Sequence, residues 1–275
     1  MFEKLYTASD QICLKPSSPL EIYSFAELNL PDTGVATTLG KRPYVIMNMI
    51  ASADGRATTH QGKLSGLSST EDRRVMRYLR CQVDGVLVGA ATLRADPIVP
   101  TLPPELVAER LQHFDPALPH AAQPWGIVAT QSGLLPLEHR FWLGGKNQRL
   151  IITADSTTID PDLQNHATVW AVPELSKDLG SGLSQALGLL YQRLAIKRLL
   201  VEGGATLNYA LIAAGLVDEL FLTVAPCLVG GIANGHILAG AGFGFGANHH
   251  LPKLDLLSVY QRDSYLFLRY RVVAT

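Results

Sequence analysis

The octet Val201-Glu202-Gly203-Gly204-Ala205-Thr206-Leu207-Asn208 constrains this chain more than any other stretch. It follows an apolar run, Arg198-Leu199-Leu200-Val201. It opens a stretch with apolar residues at Leu207, Ala210, Leu211 and Ala214, closed by Gly215. The pattern predicts a strand, a glycine turn and a helix. The free N–H groups and positive dipole end of a helix that starts after a strand suit a phosphate. Two adjacent glycines let a ligand approach backbone that a Cβ would shield. Glu202 falls at the C-terminal end of the strand, the edge where open α/β sheets bind ligands. One octet thus offers a phosphate cradle and an acid.

The same alternation runs along the chain. Tyr44 to Ile50 is apolar without alternating, as in a strand buried on both faces. Ser68 and Glu71 make a capping-box pair, followed by Val75, Met76, Leu79 and Val83 at helical spacing. Arg73, Arg77 and Arg80 fall on another face of that helix. Val86–Val88, Trp125–Ala129, Leu150–Thr153, Thr168–Val172 and Leu220–Ala225 read as further strands, and Leu183 to Leu194 as an amphipathic helix. Pro100 to Gln123 is proline-rich, with one short helix over a loop. Leu254–Val259 and Tyr265–Val273, joined by Gln261 to Ser264, form an antiparallel hairpin that should be an edge of the sheet. Strands alternating with helices imply an α/β fold, a mostly parallel mixed sheet with helices on both faces. Residues 1–41 carry Pro16, Pro19, Pro31 and little periodicity. They are expected to be an N-terminal extension, with a short helix between Leu20 and Leu28, packing on a domain of residues 42–275.

Composition excludes several classes. With 47% apolar and 17% charged residues in 275, the chain can bury a core without staples. Cys13, Cys81 and Cys227 lie far apart, so no disulfide framework or metal site is expected, and the compartment should be the cytoplasm. Met1 to Tyr6 lacks a signal-peptide pattern, and no run reaches the length of a membrane span. A net charge of −1 argues against nucleic acid as a partner. Residues 41–94 nevertheless hold nine Lys and Arg against four acids, which suits a small phosphorylated ligand as well as a solvated helix face.

Ser52-Ala53-Asp54-Gly55 follows the first strand and reads either as an ordinary turn or as part of a site at the strand end. Gly89-Ala90-Ala91-Thr92-Leu93-Arg94-Ala95-Asp96 is a second strand-to-helix junction. The junctions at Gly89 and Gly203 look like two halves of a dinucleotide site, although neither matches G-x-G-x-x-G. Arg80 lies between the apolar face and the arginine stripe of its helix, from where a guanidinium could grip a phosphate. The alternating glycines from Gly240 to Gly246 read as a connection, and His249-His250 as a surface loop.

Several ordered motifs carry a resemblance. They are Ser52 to Arg56, Gly62-Lys63-Leu64-Ser65-Gly66, Asp72 to Val75, Leu79-Arg80, Val88 to Asp96, Val201 to Leu207, Gly215 to Leu220 and Ala225-Pro226. Over about residues 42–273 the chain resembles the pyrimidine reductase family, the reductase domain of bacterial riboflavin biosynthesis. The resemblance implies a dihydrofolate-reductase-like fold that binds NADPH. It implies hydride transfer to the ribosyl C1′ of 5-amino-6-(5-phosphoribosylamino)uracil, giving a ribitylamino product. The alternative is an NADPH reductase of the same fold acting on another small substrate such as a pterin.

By that resemblance Ile50, Ala51, Gly89, Thr92, Asp96, Thr130 and the run Gly203, Gly204, Ala205, Thr206, Leu207, Asn208 contact the cofactor. Ser52, Leu64, Arg80 and Glu202 contact the substrate, Arg80 through its phosphate. Glu202 and Asp54 are the catalytic acids. The Gly203–Gly204 peptide is expected to be cis and the working form a homodimer. The chain departs from the family in having one acid before Pro97, no arginine between Pro97 and Arg110, and no tryptophan near Gly66. These departures resemble a stand-alone subgroup without a deaminase domain.

Overall fold

The first strands are β1 (Phe2–Thr7) and β2 (Pro16–Ser17), followed by helix α1 (Phe25–Leu28) and a small hairpin, β3 (Val35–Thr37) and β4 (Gly40–Arg42). The alternating part follows as β5 (Tyr44–Ser52), α2 (Thr70–Cys81), β6 (Gly85–Gly89), α3 (Ala90–Ala95), α4 (Pro104–Arg110), β7 (Trp125–Thr130), β8 (Arg149–Thr153) and β9 (Thr168–Ala171). The chain continues with α5 (Glu174–Lys177), α6 (Leu179–Leu194), β10 (Arg198–Val201), α7 (Ala205–Ala213), β11 (Glu219–Ala225), β12 (Lys253–Arg262) and β13 (Tyr265–Val273). This computed structural model describes residues 2–7, 16–17, 22–38, 40–59, 66–96, 98–144, 148–231, 235–244 and 250–273.

Eleven strands form one sheet in the order β2-β1-β12-β13-β11-β5-β10-β6-β7-β8-β9. Neighbours from β11 to β9 are parallel, and those from β11 back to β2 are antiparallel. The expected mixed α/β sheet is therefore present. β5 explains its own composition. Val45 and Met47 pack with Leu183, Leu187 and Leu190 of α6 and Leu211 of α7. Ile46, from the same strand, packs with Val75 and Leu79 of α2 on the other face. A strand covered on both sides has no solvent face to alternate toward.

The structure adds to or corrects the local expectations at four points. The C-terminal hairpin is not the sheet edge, because β1 pairs antiparallel with β12, Glu3 opposite Gln261 and Thr7 opposite Ser258. The N-terminal segment also reaches the core. Tyr23 is 1% exposed and meets the rings of Phe221 and Tyr260 edge-on at 5.0 and 5.6 Å. A strand that joins through backbone bonds leaves little periodic signal. The hairpin turn is tighter than expected, with only Asp263 and Ser264 between the strands, both at positive φ. Helix α2 is capped by Ser69 rather than Ser68. Ser69 Oγ accepts from Asp72 N at 3.0 Å, and Ser68 Oγ donates instead to Asp72 Oδ2 at 2.7 Å.

Candidate active site

β10 lies parallel to β6, Val201 opposite Leu87, so the two strand-to-helix junctions meet side by side. Gly89 N donates to Gly203 O at 2.7 Å, and Glu202 N donates to Leu87 O at 3.0 Å. Gly203 has φ +93°, and the Gly203–Gly204 peptide is cis, as expected. A Cβ on Gly204 would stand 2.6 Å from Thr92 Oγ1, and one on Gly89 would stand 3.2 Å from Gly204 N. A side chain at either position would crowd this approach, so glycine suits both. Gly89 and Gly204 are the N-caps of α3 and α7, and neither helix has a side-chain cap. The first N–H groups of α7 are thus left without a side-chain acceptor, at the positive end of the helix dipole.

These turns line a cavity of about 270 Å³. Its walls include Gly89, Ala90, Gly204, Ala205, Thr206 and Leu207, together with Thr130, Ser132 and Arg94. Thr130 is buried and its Oγ1 accepts from Gly133 N at 3.1 Å. Arg94 Nη1 donates to Leu134 O at 2.7 Å.

A second cavity, of about 680 Å³, lies across the strand ends. Asn48 and Ile50 of β5, Thr92, Asp96, Arg80 and Glu202 line it. Arg80 Nε and Nη2 donate to the two oxygens of Glu202, each at 2.6 Å, and Nη1 donates to Val99 O at 2.8 Å. Both side chains are 7% exposed. This fork geometry fixes the carboxylate plane, while each oxygen keeps lone pairs for a ligand. Thr92 stands between the cavities, touching the Gly204 turn from the wall of the larger one. Asp72 is buried in that wall. Burial pushes its carboxyl above the ordinary range, against hydrogen bonds from Ser68 and Thr223 and the charge of Arg73.

The other expected residues lie apart from the cavities. Ala51 and Ser52 are buried at the end of β5 and line neither. Asp54 is exposed and ties down a neighbouring loop, accepting from Ser52 Oγ at 2.5 Å, Val229 N at 3.0 Å and Gly230 N at 2.7 Å. Those three bonds, the Ser52 bond foremost, hold its carboxyl well below the usual carboxylate range. Asn208 is fully buried and donates to Ile237 O at 2.9 Å, which braces α7 from behind. Leu64, Gly246 and His249 lie outside the described residues. Sequence reasoning missed Arg140, which lines the larger cavity from a short 3-10 turn, Arg140–Gly144, about sixty residues from α2. No local pattern marked it.

Comparison with known proteins agrees with this geometry. Residues 43–268 match the family model described as the RibD C-terminal domain. The chain is 30% identical over 233 residues to the 2,5-diamino-6-ribosylamino-4(3H)-pyrimidinone 5′-phosphate reductase of Methanothermobacter thermautotrophicus, which covers 84% of this chain and 99% of that protein. It is 31% identical over 237 residues to the reductase of the same name from Aquifex aeolicus, covering 85% and 98% respectively. The solved structure of a pyrimidine reductase-like protein from Corynebacterium diphtheriae superposes with a TM-score of 0.69 at 21% identity, over 90% of this chain and 99% of that one, and so shares the fold. A match that spans the whole alternating part of the sheet, both junctions included, places the sequence: the chain belongs to the RibD C-terminal domain family, which places it among the reductases of riboflavin biosynthesis.

Proposed function

We propose that this chain is an NADPH-dependent reductase that converts the ribosylamino group of a phosphorylated pyrimidine to the ribitylamino group. The observation that carries the reading is the shared strand edge. Glu202, clamped by Arg80 in the large cavity, is bonded directly to Gly203 of the turn that lines the small one. The phosphate portion of a dinucleotide suits the small cavity because α7 begins there without a side-chain cap and because glycine stands where a Cβ would collide with Thr92. Gly89, Gly204, Ala205, Thr206 and Leu207 would hold the phosphates. Arg94, Thr130 or Ser132 would meet the 2′-phosphate that separates NADPH from NADH. NADPH supplies a hydride to an electrophilic carbon.

The rest of the chemistry falls to the chain. The open-chain form of a ribosylamine is an imine at C1′, and it accepts hydride once its nitrogen is protonated or hydrogen-bonded. The Arg80 fork points the Glu202 carboxylate in one direction, so it can accept hydrogen bonds from the amino groups of the pyrimidine and stabilise by its charge the cationic imine that takes the hydride. Ile50 supplies an apolar wall between the cavity and the sheet, limiting water at the reacting carbon. The two relatives covered nearly end to end are named for the 2,5-diamino-pyrimidinone. Their names favour that ring over the uracil, with identical chemistry at C1′.

The protein is taken to work in the cytoplasm as a homodimer. Leu222, Tyr270 and Val272, only partly buried on β11 and β13, are an apolar face for a second copy. The decisive assay follows NADPH oxidation with the phosphoribosylated diaminopyrimidinone, with the deaminated uracil as the competitor. Turnover with neither ring ends the reading. Preference for the uracil keeps the reaction and reverses the substrate choice.

A further inference from the structure

A phosphorylated substrate needs a cationic grip, and the family resemblance assigned that role to Arg80 and to an arginine after Pro97. The structure leaves little of either. Arg80 directs Nε and Nη2 at Glu202 and Nη1 at Val99 O, so its charge is matched by an adjacent carboxylate. Residues 98–104 read Ile-Val-Pro-Thr-Leu-Pro-Pro, without a charge. Three other guanidinium groups line the same cavity, those of Arg73, Arg77 and Arg140, and the last two are the ones left without partners among the described residues. Arg77 rises from α2 one turn before Arg80, and Arg140 comes from the turn after His139. Both are exposed, and neither has a hydrogen-bond or ion-pair partner among the described residues. The carboxylates around this cavity are engaged elsewhere. Glu202 faces Arg80, Asp72 is buried against Ser68, and Asp96 already has a partner. Arg73, on the same wall, is turned back onto Ser68 O and Thr70 Oγ1 at 3.1 and 3.3 Å. His139 Nε2 lies 3.1 Å from Asp96 O, so the turn that carries Arg140 is anchored to the α3 end of the cavity.

Resting on the reductase reading, we propose that Arg77 and Arg140 form the substrate-phosphate subsite of this chain and that Arg80 is a positioning residue for Glu202. A phosphate monoester carries a charge of about −1.5 to −2 near neutral pH, and guanidinium forks match its oxygens. Two cations from two separate elements place that group at the outer rim. The length of the ribose then carries C1′ inward toward Glu202 and Thr92.

The test is calorimetric titration of the full chain with ribose 5-phosphate, run beside steady-state kinetics on the phosphorylated and dephosphorylated pyrimidine ribosides. Arg77→Ala and Arg140→Ala should each weaken ribose 5-phosphate binding about tenfold or more, the loss expected for one charge-assisted contact. Each should raise KM for the phosphorylated riboside by a similar factor, with kcat and the dephosphorylated riboside little changed. Arg74→Ala removes the same charge from α2 outside the cavity and should change binding less than about twofold. Arg77→Lys should recover part of the loss. Wild-type affinity in Arg77→Ala and Arg140→Ala, an equal loss in Arg74→Ala, or no ribose 5-phosphate binding by the wild type would each overturn the subsite. Binding that depends on both arginines without any NADPH oxidation would leave the subsite standing and remove the reductase reading. Turnover with a KM indifferent to both arginines would do the reverse.

Discussion

The two cavities are built in opposite ways from the same strand ends. The smaller is centred on two short consecutive runs with small side chains and exposed backbone, Gly89 to Ala91 and Gly204 to Leu207, closed by Arg94, the end of β7 and the residues after it from Ala129 to Ser132, and Leu175, Leu179 and Leu183. The larger is mostly side chains, gathered from β5, α2, the segment after α3, the turn at Arg140 and Glu202. A cavity of backbone depends on which side chains are missing. A cavity of side chains depends on which are held in place. The first kind suits a ligand shared by many enzymes, and the second suits a ligand that differs between them.

The contrast can be broken by mutation. The largest effect is expected at Arg80→Ala, which leaves the Glu202 carboxylate nearly buried without its partner. Unfolding in urea should show a loss of about 3 kcal/mol, with turnover falling as well. Retention of stability would mean that Glu202 relaxes into water and that the larger cavity is not side-chain-held. Glu202→Gln keeps the shape and removes the charge. It should lower kcat about a hundredfold while the affinity for NADPH, measured by fluorescence titration, stays within about twofold. Equal losses in both would merge the two cavities into one functional unit.

Gly204→Ala addresses the other cavity. Its Cβ would meet Thr92 Oγ1 at 2.6 Å, an overpacking cost of about 1–3 kcal/mol that should appear as weaker NADPH binding. Thr92→Ala in the same chain should relieve most of it, because the Thr92 Cβ is 4.0 Å away. Failure of the rescue would show that the backbone cradle is not shaped by that contact. The smallest effect is expected at Asp54→Asn. The folded carboxyl lies below its unfolded value near 3.9, so its contribution to stability is present above that pH and fades as pH falls through the folded value. The variant should melt slightly below the wild type at neutral pH, with the gap closing in acid. An unchanged melting temperature with a large loss of kcat would instead make Asp54 a catalytic acid.

The same contrast explains what the sequence made legible. Glycines after apolar runs announce a strand-to-helix turn, so Gly89 and Gly203 can be placed and paired from residue order alone. The parallel part of the sheet follows from runs such as Tyr44 to Ile50, since burial on both faces removes alternation. The Arg80–Glu202 pair is half legible. Both residues stand out, but their mutual contact spans more than a hundred residues, so the phosphate role is the natural reading for the arginine. Arg140 gives no signal, because an arginine in a loop with no periodic neighbours looks the same whether it lines a cavity or not. β1 escapes for a related reason, its pairing with β12 being made by backbone groups that every sequence carries.

Because the Gly89 N–H donates to Gly203 O, neither turn can grow by a residue without unseating the other. Insertions that surface connections elsewhere would absorb are barred at both points together. Divergence within such a sheet is thereby steered outward. A descendant can acquire a new ligand by exchanging rim residues or lengthening the stretch after α3, while the crevice at the paired turns passes down unaltered.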